Sequence, residues 1–439
     1  MLFSTHATRL WLRLTLRRLI RVTAWIGLFG LLTGALPALA QLGGTRLNLP
    51  GLPSLPNLPV EPRLPLQQPV NAALGAIPLQ QLRLTAVRDL LRQHPDLLEA
   101  DPAGEPIRRA ELVLLSPSPD LLEAVLTLGF VQLREQTWPE LDLRQVVLRP
   151  PVGLSTARAL AALRGLQPQA DADFNHIYTA SGEVGTAGTA ATTPGSGSVR
   201  VGLVDSGVDA QHPALKRSEL HLWGCQGAPV PSAHGTAVAS LLVGPGAASP
   251  PSAAVLYAAD IYCGKPAGGA AEDVASALAW MARERVAVVN ISLVGPANRM
   301  LERSVQALIR KGHVVVAAVG NDGPAAAPLY PASYAGVVGV TGVTSAQRVL
   351  PEAAQGAQVM YAAPGAQVNA AQLGGGYSSV RGTSFAAPRV AALLAQQLLL
   401  PDVAMAQSAL TRLATSARDL GAPGRDPVYG WGLVGADKP

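Results

Sequence analysis

Between residues 199 and 343 the chain repeats one pattern, a short apolar run followed by a helical stretch. The runs fall at 199–204, 255–261, 286–291, 314–319 and 337–343. Each is too short for a buried helix and rich in β-branched residues, so each reads as a strand covered on both faces. Strands of that kind joined through helices need right-handed crossovers, which makes the expected architecture an α/β fold with a doubly wound parallel sheet.

Asp205 ends the first run in V-D-S-G-V, and Asn321 follows the fourth in G-N-D-G-P. His234 and Ser384 each open a small-residue helix, in H-G-T-A-V-A and G-T-S-F-A-A-P. A serine hydroxyl is a weak nucleophile unless a histidine takes its proton and a carboxylate fixes the imidazole. The order Asp, His, Ser differs from the orders of the chymotrypsin and α/β-hydrolase types. A G-x-S-x-G elbow is absent, because Ala386 stands two residues after Ser384. Of the seven histidines, only His234 precedes Gly-Thr at a helix start. Asp209 and Asp260 are rival carboxylates, the first in a turn beside His212 and Pro213, the second at the end of the run at 255–261. Pro388 is expected in the first turn of the helix after Ser384, where a missing N–H costs nothing.

These segments resemble the subtilase (S8) family of serine peptidases. The resemblance implies a triad of Asp205, His234 and Ser384, with the Asn321 side chain and the Ser384 N–H binding the oxyanion. It also implies that Ser292, Leu293, Val294 and Gly295 pair with the substrate backbone as an added strand, and that Ala318, Val319 and Gly320 form the facing wall of the S1 pocket. Glycine is usual at the position of Val294, so small or medium apolar P1 side chains are expected. Calcium is frequent in the family, but no acidic loop announces it here; no cofactor and no metal site is expected.

The amino-terminal part reads as an export signal. Five arginines lie in the first 21 residues, the first 40 hold no acid, and an apolar stretch ends in A-L-A at Ala38–Ala40. That pattern fits a signal peptide over 1–40, with an uncleaved anchor as the alternative, and either places the enzyme outside the cytoplasm, in the periplasm or beyond the cell. Removing those five from the 34 Lys and Arg leaves as many bases as the 29 acids, so the formal charge of +5 belongs to the leader and argues against nucleic-acid partners. Cys225 and Cys263 are the two cysteines. In an oxidising compartment they suit one disulfide, two buried thiols being the alternative.

Prolines recur every third residue from Pro50 to Pro65, within a Pro-rich linker over 41–70 that reads as a polyproline rod. A helical segment follows over 71–109, its helix expected at 79–100. Over 110–178 the expected order is strand Glu111–Leu115, helix Asp120–Leu128, strand Phe130–Arg134, strand Leu143–Leu148, helix Thr156–Leu163 and strand Ala172–Tyr178. That βαββαβ order is ferredoxin-like. Subtilase propeptides share it, so the resemblance implies a zymogen whose propeptide ends in the active site, near Tyr178, and inhibits it. The Gly-, Ala-, Thr- and Ser-rich stretch 179–198 reads as a flexible linker, and the catalytic domain as 199–439. The sequence therefore points to an exported serine endopeptidase acting on protein or peptide substrates. A catalytically silent, tethered binding or scaffolding protein of the same fold is the alternative.

Overall fold

The computed structural model describes residues 83–180, 182–188, 198–248, 251 and 253–435, all within one compact unit. The signal-like segment and the Pro-rich rod lie outside the described residues. Among the described residues no helix is long and apolar enough to cross a membrane.

The chain enters through helix α1 (83–93) and a three-residue strand β1 (Leu98–Ala100). The helix expected over 79–100 thus stops early, at the turn around Pro95. A small α+β layer follows: β2 (Pro106–Leu115), α2 (Pro119–Thr127), β3 (Val131–Trp138), β4 (Leu143–Arg149), α3 (Thr156–Leu166) and β5 (Asp171–Ala180). Ser118 and Ser155 cap the two helices by accepting the Leu121 and Arg158 N–H groups. The strands pair antiparallel in the order β5-β2-β4-β3, the split βαβ arrangement. Leu112, Leu114, Val146, Leu148, Leu160 and Leu163 share its core.

Strand β6 (Glu183–Gly188) occupies part of the stretch expected to be linker. It pairs antiparallel with β17 (Tyr377–Arg381), introduced below with the rest of the large domain. Composition marked this stretch as flexible, but an unpaired strand edge supplied backbone partners for it.

The large domain contains β7 (Ser198–Asp205), β8 (Ser218–Gly224), α4 (Ala233–Val243), β9 (Ala253–Asp260), β10 (Gly269–Ala270) and α5 (Ala271–Arg283). It continues with β11 (Val288–Ile291), β12 (Leu293–Val294), α6 (Arg299–Arg310), β13 (Val314–Ala318), β14 (Val338–Val343), β15 (Val359–Pro364), β16 (Ala366–Ala371), β17, α7 (Thr383–Ala395) and α8 (Val403–Ser416). Seven strands form a wholly parallel sheet in the order β15-β14-β13-β11-β7-β9-β8. Successive side chains point to opposite faces, which the packing shows directly. Val314, Val316 and Ala318 join the core with α4 and α7. Val315 and Ala317 join the other core, with α5 and α6. The order reverses at β7, so the crevice beyond its carboxyl end is the sheet's topological switch point.

Candidate active site

Asp205 is the last residue of β7 and fully buried. Its Oδ1 accepts from the Ser206 N–H at 2.7 Å, the Ser206 hydroxyl at 3.0 Å and His234 Nδ1 at 2.8 Å. Three donors converge on that one oxygen, and the bond from His234 orients the imidazole with Nδ1 toward Asp205. Ser206 was missed in the sequence, and only its place between Asp205 and Gly207 could have signalled it. Its hydroxyl also accepts the Gly235 N–H at 3.1 Å, tying the start of α4 to the end of β7. His234 Nε2 is buried and has no hydrogen-bond partner among the described residues.

Ser384 stands in the first turn of α7, with its Oγ donating to the Ser292 carbonyl at 3.2 Å. Pro388 does not occupy that first turn, as the sequence suggested; it lies inside the helix, where a missing N–H leaves the carbonyl four residues back without its helical donor. That carbonyl belongs to Ser384, and the Ser292 hydroxyl supplies the substitute donor at 2.9 Å. Ser292 in turn accepts from the Asn290 amide at 2.9 Å. The proline therefore helps build the setting of Ser384 across the gap between β11 and α7.

Asn321 follows β13 by three residues. Its Oδ1 accepts the Thr383 N–H at 3.0 Å, which directs the amide NH2 the other way. A Cβ on Gly382 would lie 3.0 Å from Asn321 Nδ2 and 2.8 Å from the Gly182 Cα, and the φ of Gly382 is +136°. Only glycine satisfies both demands, and its bareness lets the chain at residue 182 cross directly beside Asn321 and the start of α7. Thr383, also missed, places its hydroxyl against the Gly320 N–H at 3.2 Å.

The last four residues of β5 run antiparallel between two edges of the large domain. Ile177 and Tyr178 face Ala270 and Gly269, and Thr179 and Ala180 face Val294 and Leu293. Tyr178 is fully buried, its hydroxyl donating to the Pro296 carbonyl at 2.7 Å. A Cβ on Gly295 would come within 2.7 Å of the Tyr178 ring, so glycine makes room for it. The strand thus continues past Tyr178, where the sequence placed its end, to Ala180, and Gly182 lies against Gly382.

Of the residues expected to line the S1 pocket, Val294 borders a cleft of about 450 Å³ together with Thr179, Asn321, Asp322, Glu352 and Arg381. Ala318 and Val319 are fully buried in the two cores and do not line this cleft. Gly320 backs onto Leu329, whose Cδ1 would stand 2.6 Å from a Cβ there. Arg83, from α1, reaches the same cleft and pairs with Asp322 at 2.9 Å and Glu105 at 2.7 Å. Burial pushes the Asp322 carboxyl above its ordinary range, with Arg83 opposing the shift.

Cys225 and Cys263 are joined in a disulfide, with Cα atoms 5.1 Å apart. The Asp260 carboxylate lies within 4.8 Å of both sulfurs, a grouping the sequence did not anticipate. The sulfurs are bonded to each other, which leaves no thiolate pair to hold a metal.

A parallel doubly wound sheet with an Asp–His pair at its switch point and a serine opening the adjacent helix defines an α/β protein of the serine-hydrolase type. A model of the subtilase family matches residues 196–432, over half of the chain. Subtilisin of Bacillus pumilus is 30% identical over 249 residues, covering 54% of this chain and 88% of that protein. Subtilisin BL of Lederbergia lenta is 32% identical over 253 residues, covering 55% and 90%. Among solved structures, fervidolysin from Fervidobacterium pennivorans, a keratinolytic enzyme related to subtilisin, superposes with a TM-score of 0.61 at 18% identity. That match covers 75% of this chain and 60% of fervidolysin, and it speaks to the fold. The chain belongs to the subtilase family of serine peptidases.

Proposed function

We propose that this protein is an exported serine endopeptidase made as a zymogen, with Asp205, His234 and Ser384 as its triad. The observation that carries the reading is the 2.8 Å bond from His234 Nδ1 to a buried Asp205, with the His234 ring 5.3 Å from that of Phe385, the neighbour of Ser384 at the start of α7. In the proposed reaction the Ser384 hydroxyl turns from the Ser292 carbonyl to His234 Nε2 and attacks the scissile carbonyl as its proton passes to the imidazole. Asp205 stabilises the imidazolium, and the Asn321 amide with the Ser384 N–H takes the oxyanion; one such donor is worth about 10²–10³ in kcat. The imidazolium then protonates the leaving amine, and water attacks the acyl-enzyme with the same histidine as base.

Residues 177–180 support the substrate class. Residues 177–178 pair by backbone with one segment and 179–180 with another, which is how an extended peptide of varied sequence can be held. The domain ending in β5 then acts as an inhibitory propeptide, and self-cleavage falls between residues 180 and 182 instead of directly after Tyr178. Export is supported by the signal-like first 40 residues and by the disulfide. The test is labelling by a fluorophosphonate together with amino-terminal sequencing of the processed protein. Labelling lost in Ser384→Ala, with a new terminus at residue 181 or 182, is the expected result. An unlabelled, folded wild-type protein would instead favour the silent binding protein.

A further inference from the structure

Asp260 is a buried carboxylate that the proposed reaction does not use. It ends β9 in register with Asp205 at the end of β7. Its two oxygens serve two different segments. Oδ2 accepts the Val230 N–H at 2.8 Å, while Oδ1 accepts the Tyr262 and Cys263 N–H groups, each at 2.9 Å. The same Oδ2 would lie 2.9 Å from a Cβ on Gly207, so the carboxylate also abuts the segment that leaves Asp205.

Each bond has a mechanical consequence. Val230 lies in the sequence Pro229-Val230-Pro231, so it carries the single backbone donor of those three residues. Asp260 takes that one donor, and the stretch is also held by a parallel bridge between Pro231 and Gly207. Ser232 then donates to the Gly207 carbonyl at 2.9 Å, and α4 begins at Ala233 with His234 next. On the other side, the turn held by Oδ1 carries Tyr262 and leads to Gly269–Ala270, the edge that pairs with the peptide-like strand at 177–178. The Cys225–Cys263 disulfide ties the same two segments together covalently.

We propose that Asp260 is a positioning residue for catalysis, one carboxylate that locks the loop presenting His234 to the turn forming one wall of the peptide groove. This rests on the serine-peptidase reading above. Loss of Oδ2's bond should misplace His234, and loss of Oδ1's bonds should loosen the wall. An asparagine has one acceptor oxygen and turns an NH2 toward the donors on the other side, so Asp260→Asn should impair at least one function and Asp260→Ala both. Val230→Pro deletes this N–H donor while keeping the Asp260 carboxylate and its Oδ1 bonds to Tyr262 and Cys263.

The experiment uses the full-length protein and measures, per folded molecule by near-ultraviolet circular dichroism, the fluorophosphonate labelling rate and the kcat and KM for one peptide after processing. Wild type and Ser384→Ala report on the underlying reading: if wild type neither labels nor hydrolyses, that reading fails before Asp260 is at issue. Given an active wild type, we expect Val230→Pro to lower kcat and the labelling rate about 10- to 100-fold with KM little changed, the scale of a misplaced catalytic group. Asp260→Ala should lower kcat by as much and raise KM as well. If folded Val230→Pro and Asp260→Asn both label and turn over at the wild-type rate, Asp260 only stabilises the fold and the proposal is overturned.

Discussion

At the scale of single residues, the site depends on a few atoms whose removal has calculable effects. Ser384→Ala and His234→Ala should each abolish peptide hydrolysis in a protein that remains folded, leaving about 10³–10⁴-fold catalysis over water from the rest of the site. Steady-state turnover of purified variants checks this, and near-normal rates in Ser384→Ala would refute the assigned nucleophile. Val294 offers a graded test. It borders the cleft beside the peptide-like strand, whereas Val319, its expected partner on the far wall, is fully buried in the core. Val294→Gly should therefore improve Phe over Ala at P1 by about 1–3 kcal/mol in kcat/KM, and an unchanged ratio would remove Val294 from the pocket. Asp205, His234 and Ser384, the residues proposed above as the triad, stood out in the sequence because each lies at an element's end within a recognisable segment. Ser206 and Thr383 were not, since a hydroxyl's role depends on which N–H or carboxylate the fold brings to it.

At the scale of elements, β13 carries a pH-dependent contribution. His313, just before the strand, is buried with Nδ1 donating to the Val286 carbonyl at 2.7 Å. Burial lowers its pKa from 6.5 to about 4, with that bond opposing and Lys311 adding to the shift. The unfolded chain thus binds more protons between those values. Stability is fully present above about pH 6.5 and is lost as the pH falls toward 4, by on the order of 3 kcal/mol. Urea unfolding at pH 7 and pH 4 in the Ser384→Ala background should show that loss, and His313→Gln should shrink it; equal slopes in both proteins would assign the loss to other groups. Strands and helices of the large domain followed their apolar periodicity closely. Pro388 did not follow the helix-start expectation, because the Ser292 hydroxyl compensates a vacancy inside α7 that local rules count as a break.

At the scale of the molecule, the small domain is held by charge as well as by strand pairing. Arg134 binds both Glu111 of its own domain and Glu272 at the start of α5. Arg108 pairs with Glu272 and, at 2.6 Å, with Asp273. Gln145 adds a bond to Glu272 at 3.0 Å. Glu272 is nearly buried, so removing its charge should strand two arginines at the interface. Breaking a buried pair from one side costs about 3–5 kcal/mol, less here because Arg134 is partly exposed. Glu272→Ala should therefore release the processed amino-terminal domain, the one that ends in β5, sooner than wild type. Size-exclusion chromatography after processing would show it, and a fragment that stays bound as long as in wild type would mean β5 alone holds the domains.

The sequence by itself determined the doubly wound sheet, the residue types of the site and the βαββαβ order, because each is written in local periodicity or in short segments at element ends. Tertiary structure decided what those segments meet. The strand expected to end at Tyr178 continues through Ala180, since backbone groups at Gly269–Ala270 and Leu293–Val294 complete its pairing. A stretch with a linker's composition becomes β6 because the edge of β17 lies beside it. Arg83, from a segment with no recognisable function in the sequence, reaches Asp322 beside Asn321. Backbone pairing and ion pairs between distant segments leave no periodic trace along the chain, so only the folded molecule could reveal them.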